Sequence, residues 1–284
     1  MSIYLKVMGL LYALVVLTGS LLVLLLHFIF GAPLGLSFLI LLLAAVPLSL
    51  VIFRVMMNRE RANPDSLLHA EFMSELVTNG YTQKAFELAE QAFEKKRTGQ
   101  KMNFVYFKDF AIYVADYYNL MQENEKALTY LDLVDKSEVL TNSTRIMDGG
   151  LTILTYYEVL MEAFRGTKAQ TNAKLAFMEV RPYLDKKYPQ DVLNIMADMI
   201  GYHYSMLMED FEQAKEYVDR MMSYTSELAQ SNLGRYLALA DYCKQAGYEA
   251  QARDAMKLAH ERMSPDQPVL EEIYAQWMKR LGFE

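Results

Sequence analysis

The chain has 284 residues, with 28 Lys and Arg against 35 Asp and Glu for a formal net charge of −7, 53% hydrophobic residues, one cysteine and 7 prolines. A single thiol excludes an intrachain disulfide scaffold, and the apolar fraction excludes a disordered tail or a collagen-like fibre. Charge is unevenly placed. The 47 residues from Val7 to Phe53 contain no Asp, Glu, Lys or Arg, and residues 65–284 carry 24 basic against 34 acidic side chains, a net −10.

A membrane-crossing helix takes roughly 20 apolar residues for about 30 Å of hydrocarbon. Gly31-Ala32-Pro33 divides the uncharged run into residues 7–30 and 34–53, which predicts a hairpin of two transmembrane helices. Lipid offers no partner to backbone amides, so both halves must be helical, and Pro47 is expected to kink the second. A signal-peptide core of about 7–15 residues is shorter than the first half. Gly9 and Gly19-Ser20 leave room for a close neighbour. His27 is the one ionisable side chain in these spans, one turn from the expected interface.

Lys6 precedes the first span, Arg54, Arg59 and Arg61 follow the second, and the turn between them has no basic residue. Basic flanks stay on the cytoplasmic side, so the expectation is an integral protein of the cell membrane with both termini cytoplasmic. Residues 1–6 form the N-terminus, and residues 54–64 a basic juxtamembrane linker. Its arginines Arg54, Arg59 and Arg61 would meet anionic lipid headgroups at about 1 kcal/mol each.

Residues 65–284 read as helix throughout. Asn63-Pro64-Asp65 suits a helix start, apolar residues recur at i, i+3, i+4 and i+7, and no alternating strand pattern occurs. Five segments place a small residue before apolar or small ones four and seven positions on: Ala85/Ala89/Ala92, Ala127/Leu131/Val134, Ala173/Phe177/Val180, Ala214/Val218/Met221 and Ala252/Met256/Ala259. Gly80-Tyr81 and Gly247-Tyr248 put a glycine five residues ahead of the first and last small positions, which suits a tight turn between antiparallel helices.

Upstream of these turns lie Tyr236, Leu239, Ala240 and Cys243 in the fifth segment, and Tyr157, Leu160, Met161 and Phe164 in the third. With these residues the sequence resembles tetratricopeptide repeats, whose pattern runs aromatic, Leu-Gly or Leu-Ala, aromatic, then a Gly-x4-Ala turn into a second helix. The small positions are 42, 46, 41 and 38 residues apart, where the family repeats at about 34 and HEAT or armadillo helices at about 40–47. Asp198 also stands where the fourth segment should have an aromatic residue. A HEAT-like stack and an irregular helical bundle therefore stay open. The expected fold is all-α: the transmembrane hairpin read from the uncharged run, then, as the resemblance implies, a tetratricopeptide-like α-solenoid of about five helix pairs over residues 65–284, closed by a capping helix from Pro268 to Leu281.

Chemistry-bearing patterns are missing from the sequence. His27, His69, His203 and His260 form no HxxxH or HExxH pair, no phosphate-cradling glycine loop occurs, and Cys243 falls at an inward position. The expectation is a non-enzymatic protein without metal or cofactor. A domain of net −10 repels nucleic acid, and Lys95-Lys96-Arg97 is the only run of three basic residues.

What remains is recognition by shape. Curved helical stacks expose a concave surface, lined in tetratricopeptide repeats by the first helix of each pair. The resemblance places Asp109, Asp116, Asn119, Glu158, Glu162, Arg165, Asp241 and Lys244 on it, with Met196, Met199, His203 and Met206 from the fourth pair. Such a face is acidic with a Met-rich patch, and Met adapts to irregular apolar ligands. The expected function is a membrane-anchored scaffold or adaptor that presents this groove to a basic or amphipathic protein segment at the cytoplasmic membrane face. The alternatives are an accessory subunit of a membrane complex and a peptide-sensing receptor.

Overall fold

In a computed structural model of the protein, which describes residues 3–30, 34–61, 63–143, 150–225, 229–261 and 268–283, every regular element among the described residues is a helix. The chain divides into two units, Met1–Leu67 and Leu68–Glu284.

The first unit holds α1 (Ile3–Phe30) and α2 (Leu34–Arg61), which pack on each other. Gly19 makes their close approach possible: a Cβ there would stand 2.1 Å from Leu41 Cδ1, whereas Gly9 has nothing within 4 Å. Val23, Ala45 and Ser49 are buried. The hydroxyls are satisfied by their own helices, Thr18 donating to Leu14 O at 2.8 Å, Ser20 to Val16 O at 2.7 Å and Ser49 to Ala45 O at 2.5 Å. Leu10, Leu14, Leu17 and Leu21 form an exposed row along α1.

Two expectations meet this unit directly. α2 does not stop at Phe53 but runs on to Arg61, so most of the expected 54–64 linker is helical. The dividing Gly31-Ala32-Pro33 lies outside the described residues. Among the described residues no helix is long and apolar enough to cross a membrane, so spans at 7–30 and 34–53 rest on the sequence alone.

The second unit contains α3 (Pro64–Asn79, whose first turn straddles the division), α4 (Gln83–Arg97), α5 (Phe104–Leu120), α6 (Asn124–Leu131), α7 (Lys136–Ser143), α8 (Leu151–Gly166), α9 (Gln170–Leu184), α10 (Asp191–Leu207), α11 (Phe211–Ser223), α12 (Ala229–Gln245), α13 (Glu249–Glu261) and α14 (Pro268–Leu281). Side-chain caps set several starts: Thr82 accepts from Ala85 N at 3.2 Å, Asn103 from Val105 N at 3.0 Å and Asp210 from Gln213 N at 3.0 Å. Such caps satisfy amides that have no partner within the helix.

The tight turns share one register. Gly80, Gln122, Lys168, Glu209 and Gly247 all have positive φ, from 57° to 83°, and each lies five residues before a small position. Those small residues, Ala85, Ala127, Ala173, Ala214 and Ala252, are at most 2% exposed. In the last four turns the next residue's N–H returns to a carbonyl five positions back, as in Glu123 N to Tyr118 O at 2.7 Å and Tyr248 N to Cys243 O at 2.7 Å. That closure holds the left-handed residue in place. Glycine therefore marks two turns, and ordinary side chains occupy the same conformation in the other three.

Packing follows these pairs. α5, α8, α10 and α12 lie against one another in a row, while α6 also touches α8, α9 touches α10 and α11 touches α12. Phe72, Phe110, Tyr157, Leu154, Ile200 and Leu237 are among the fully buried side chains that fill the core. Gly201, within α10, admits the Tyr217 ring of α11: a Cβ would lie 2.2 Å from its Cζ. Asp198, which breaks the aromatic pattern, is buried and accepts two bonds from Arg220 of α11, at 2.9 and 2.8 Å.

Candidate functional site

The row of α5, α8, α10 and α12 brings one face of each helix to a common wall. On α8, Glu158, Glu162 and Arg165 fall at i, i+4 and i+7, so they share a face, as do Ile112, Asp116 and Leu120 on α5. Opposite them stand Met199, Tyr202 and His203 of α10 and Leu233 and Leu237 of α12. Together with Leu270 and Trp277 of α14 they enclose a cavity of about 310 Å³. α14, expected as a terminal cap, packs on α12 and α13 and forms part of the cavity wall, with Leu270, Ile273, Trp277 and Leu281 buried. Arg280 Nη1 donates to Gln122 Oε1 at 2.6 Å, tying this helix to the turn after α5.

The charge in this wall is unbalanced. Glu158 has no hydrogen-bond or ion-pair partner among the described residues, and burial, followed by the charges of Asp116 and Glu162, pushes its carboxyl well above the usual range. Asp116 accepts a short bond from the Tyr81 hydroxyl, yet burial still raises it to about 6. Burial and the charge of Asp116 lift Glu162 to about 8 against the pull of Arg280 and Arg165. An ionised carboxylate without a matched cation is costly in a low-dielectric site, so the proton is retained. The Tyr81 hydroxyl is also pushed up by burial and by Asp116.

The opposite end is balanced. Arg165 forms a short bond to Asp241 Oδ2, which also accepts from the Tyr202 hydroxyl at 2.9 Å, while Arg280 Nη2 stands 3.7 Å from Asp241 Oδ1. Burial pushes Asp241 up, but the two arginines outweigh it and hold the carboxyl below its usual range. His203 is kept neutral by burial and by Arg165; its Nε2 is 4.0 Å from Glu162 Oε2. Two buried ring nitrogens in the lining, His203 Nδ1 and Trp277 Nε1, have no partner among the described residues.

The expected groove residues separate into three groups. Asp116, Glu158, Glu162, Arg165, Met196, Met199 and His203 line the cavity, and Asp241 braces its end. Met206 is buried beside a second, wider hollow of about 760 Å³ that shares Glu162 and Arg165 with the first. Asp109, Asn119 and Lys244 have other partners. Asp109 binds His69 Nε2 at 2.7 Å and Lys108 Nζ at 2.5 Å. Asn119 is buried and donates to Val159 O at 2.7 Å, joining α5 to α8. Lys244 pairs with Glu249 at 3.6 Å and lies 4.9 Å from the Phe283 ring centroid.

Of the headgroup arginines, Arg54 is exposed on α2, and the side chains of Arg59 and Arg61 lie outside the described residues. In the Lys95-Lys96-Arg97 run at the end of α4, Lys96 bonds the Leu133 carbonyl and sits 4.2 Å from the Phe107 ring centroid, and Arg97 pairs with Glu90 and Glu94.

Tyr81, Tyr202, Trp277 and Arg280 belong to the site, and the sequence pattern does not point to them. Tyr81 comes from a turn, and the α14 residues arrive from the far end of the chain, where no spacing rule links them to α5 or α8. The lining includes no Ser, Cys or Lys, and the hydroxyl of its one threonine, Thr155, donates to Leu151 O at 2.8 Å. Among the described residues no group of three or more His, Cys, Asp or Glu side chains is placed to hold a metal ion. No family model matches the chain, and no curated protein or solved structure matches it either.

Proposed function

We propose that the protein is a membrane-anchored, non-enzymatic adaptor whose inner helix row, a tetratricopeptide-like stack, binds a basic or amphipathic segment of another protein at the cytoplasmic face. The observation that carries the reading is the partnerless Glu158, set between Asp116 and Glu162 in a wall of apolar side chains. Asp116, Glu158 and Glu162 are half-buried; carboxylates crowded in such a site without a matched cation weaken the fold, and a partner's cation would relieve them. Native proteins keep such destabilising groups where function uses them. The anchor is supported by the 47 uncharged residues and by the exposed leucine row of α1, an apolar face suited to hydrocarbon.

Val77 lines the cavity and is 76% exposed, which makes it a rim position. A photo-crosslinking amino acid placed there in cells should trap one partner through a Lys- or Arg-containing peptide. The trap should fade in the Glu158→Gln/Glu162→Gln background. Equal crosslinking in both backgrounds would remove the acidic wall from recognition.

A further inference from the structure

Building on that reading of the wall, we propose that the cavity is a binding site for a protonated primary amine carried on an apolar stem. Three carboxylates from two neighbouring helices converge at one side: Asp116 from α5 and Glu158 and Glu162 from α8. The rest of the lining near them is aliphatic, aromatic or thioether, with Ile112, Leu120, Met199 and Leu237 as examples. An ammonium has three donors and no acceptor, which suits carboxylate oxygens, and a hydrocarbon stem suits the remaining wall.

The second line of evidence is independent of the acidic cluster. His203 and Trp277 are 5% and 3% exposed, both line the cavity, and each leaves a buried ring nitrogen without a partner among the described residues. Buried polar atoms are normally satisfied, so such orphans point to a ligand that completes them. A ligand that brings a donor or an acceptor against these two side chains would complete them.

Guanidinium ligands fit less well, because their broad planar fork of five donors needs more room and more acceptors than a compact ammonium, and Arg165 and Arg280 already occupy the end nearest Asp241. At about 310 Å³ the cavity lies at the small end of ligand sites, which suits one side chain or a short amine rather than a whole helix.

The groups that face the carboxylates are Tyr81 and Tyr113, His203 and Arg165, Asp241 from α12, and Arg280 from α14. Burial and the neighbouring acids raise both Glu158 and Glu162, the latter to about 8. An arriving cation therefore favours their ionised forms and expels protons to solvent, leaving ammonium–carboxylate pairs. Proton release on binding separates this site from a merely apolar pocket.

Trp277 is the only tryptophan of the chain and stands in the cavity wall, so its emission reports the site directly. The probes for the full chain in detergent micelles are hexylammonium against 1-hexanol, and an amphipathic lysine peptide against the same peptide with norleucine in place of lysine. The expected result is a saturable Trp277 shift with an amine member of a pair and at least a tenfold weaker response to its neutral counterpart. Calorimetry in buffers of different ionisation enthalpy should show net proton release at pH 7. A response to hexylammonium alone identifies a free amine as the source, and a response to the lysine peptide alone identifies a partner side chain.

Glu158→Gln/Glu162→Gln should weaken either response at least tenfold while thermal unfolding shows the fold retained. Equal responses to amine and neutral probes, no response to any probe, or binding without proton release would each overturn the proposal. Charge-dependent crosslinking at Val77 with a silent Trp277 would leave the adaptor reading standing and remove only the amine site.

Discussion

Glu158 concentrates the physics of the site in one residue. Burial and two neighbouring acids hold its carboxyl far above the ordinary range, with no cation among the described residues to offset them. Replacing it with Gln keeps the shape and removes the cost, so Glu158→Gln should stabilise the protein by about 1–3 kcal/mol at pH 8, measured by chemical denaturation. Loss of stability would mean that the carboxylate is matched after all. The contrasting residue is Arg165, 11% exposed and joined to Asp241. Arg165→Met should cost about 3–5 kcal/mol, because it leaves Asp241 buried with only the more distant Arg280. Glu158 and Glu162 were legible as one helix face from their spacing, but the lack of a partner for Glu158 was not. That depends on Tyr81, Trp277 and Arg280, which reach the wall only through the fold.

At the scale of elements, the turns show both what local sequence carries and what it hides. Gly80 and Gly247 announce left-handed residues, whereas Gln122, Lys168 and Glu209 adopt the same conformation without announcing it. In those three turns backbone closure outweighs the Cβ penalty. Lys168→Gly should therefore stabilise the protein by roughly 0.5–1 kcal/mol in the same denaturation assay, since the penalty disappears while the closing bonds remain. Gly201 is the reverse case: Gly201→Ala improves helix propensity but drives a Cβ into the Tyr217 ring, and a net loss of about 1–3 kcal/mol is expected. The periodicity made helices readable, and the small residues of the turns gave the register of α4, α6, α9, α11 and α13. The placement of α14 along the cavity was hidden, because its amphipathic pattern specifies a buried face without specifying against what.

For the whole molecule, the division of charge visible in the sequence agrees with the two units, the uncharged run lying in the first and the acidic excess in the second. If the first unit is the proposed anchor, protease outside intact cells should leave residues 68–284 uncut, while protease added to inverted membrane vesicles should remove them. Stability against pH reads the acidic wall as one quantity. Carboxyls whose folded affinity for protons exceeds the unfolded one make the native state bind more protons, so stability falls as pH rises through their range. Asp116 acts up to about pH 6 and Glu162 up to about 8, and Glu158 is raised in the same direction, whereas the depressed His203 acts below its ordinary value of 6.5. The window from pH 6.5 to 8 therefore lies above the ranges of Asp116 and His203 and within that of Glu162. The decisive measurement is the denaturation free energy of the full chain in detergent at these two pH values, for wild type and for Glu158→Gln/Glu162→Gln. The wild type should lose about 1–3 kcal/mol on going to pH 8 and the double variant almost nothing; equal stability at both pH values in the wild type, or a gain at pH 8, would contradict an unmatched acidic wall.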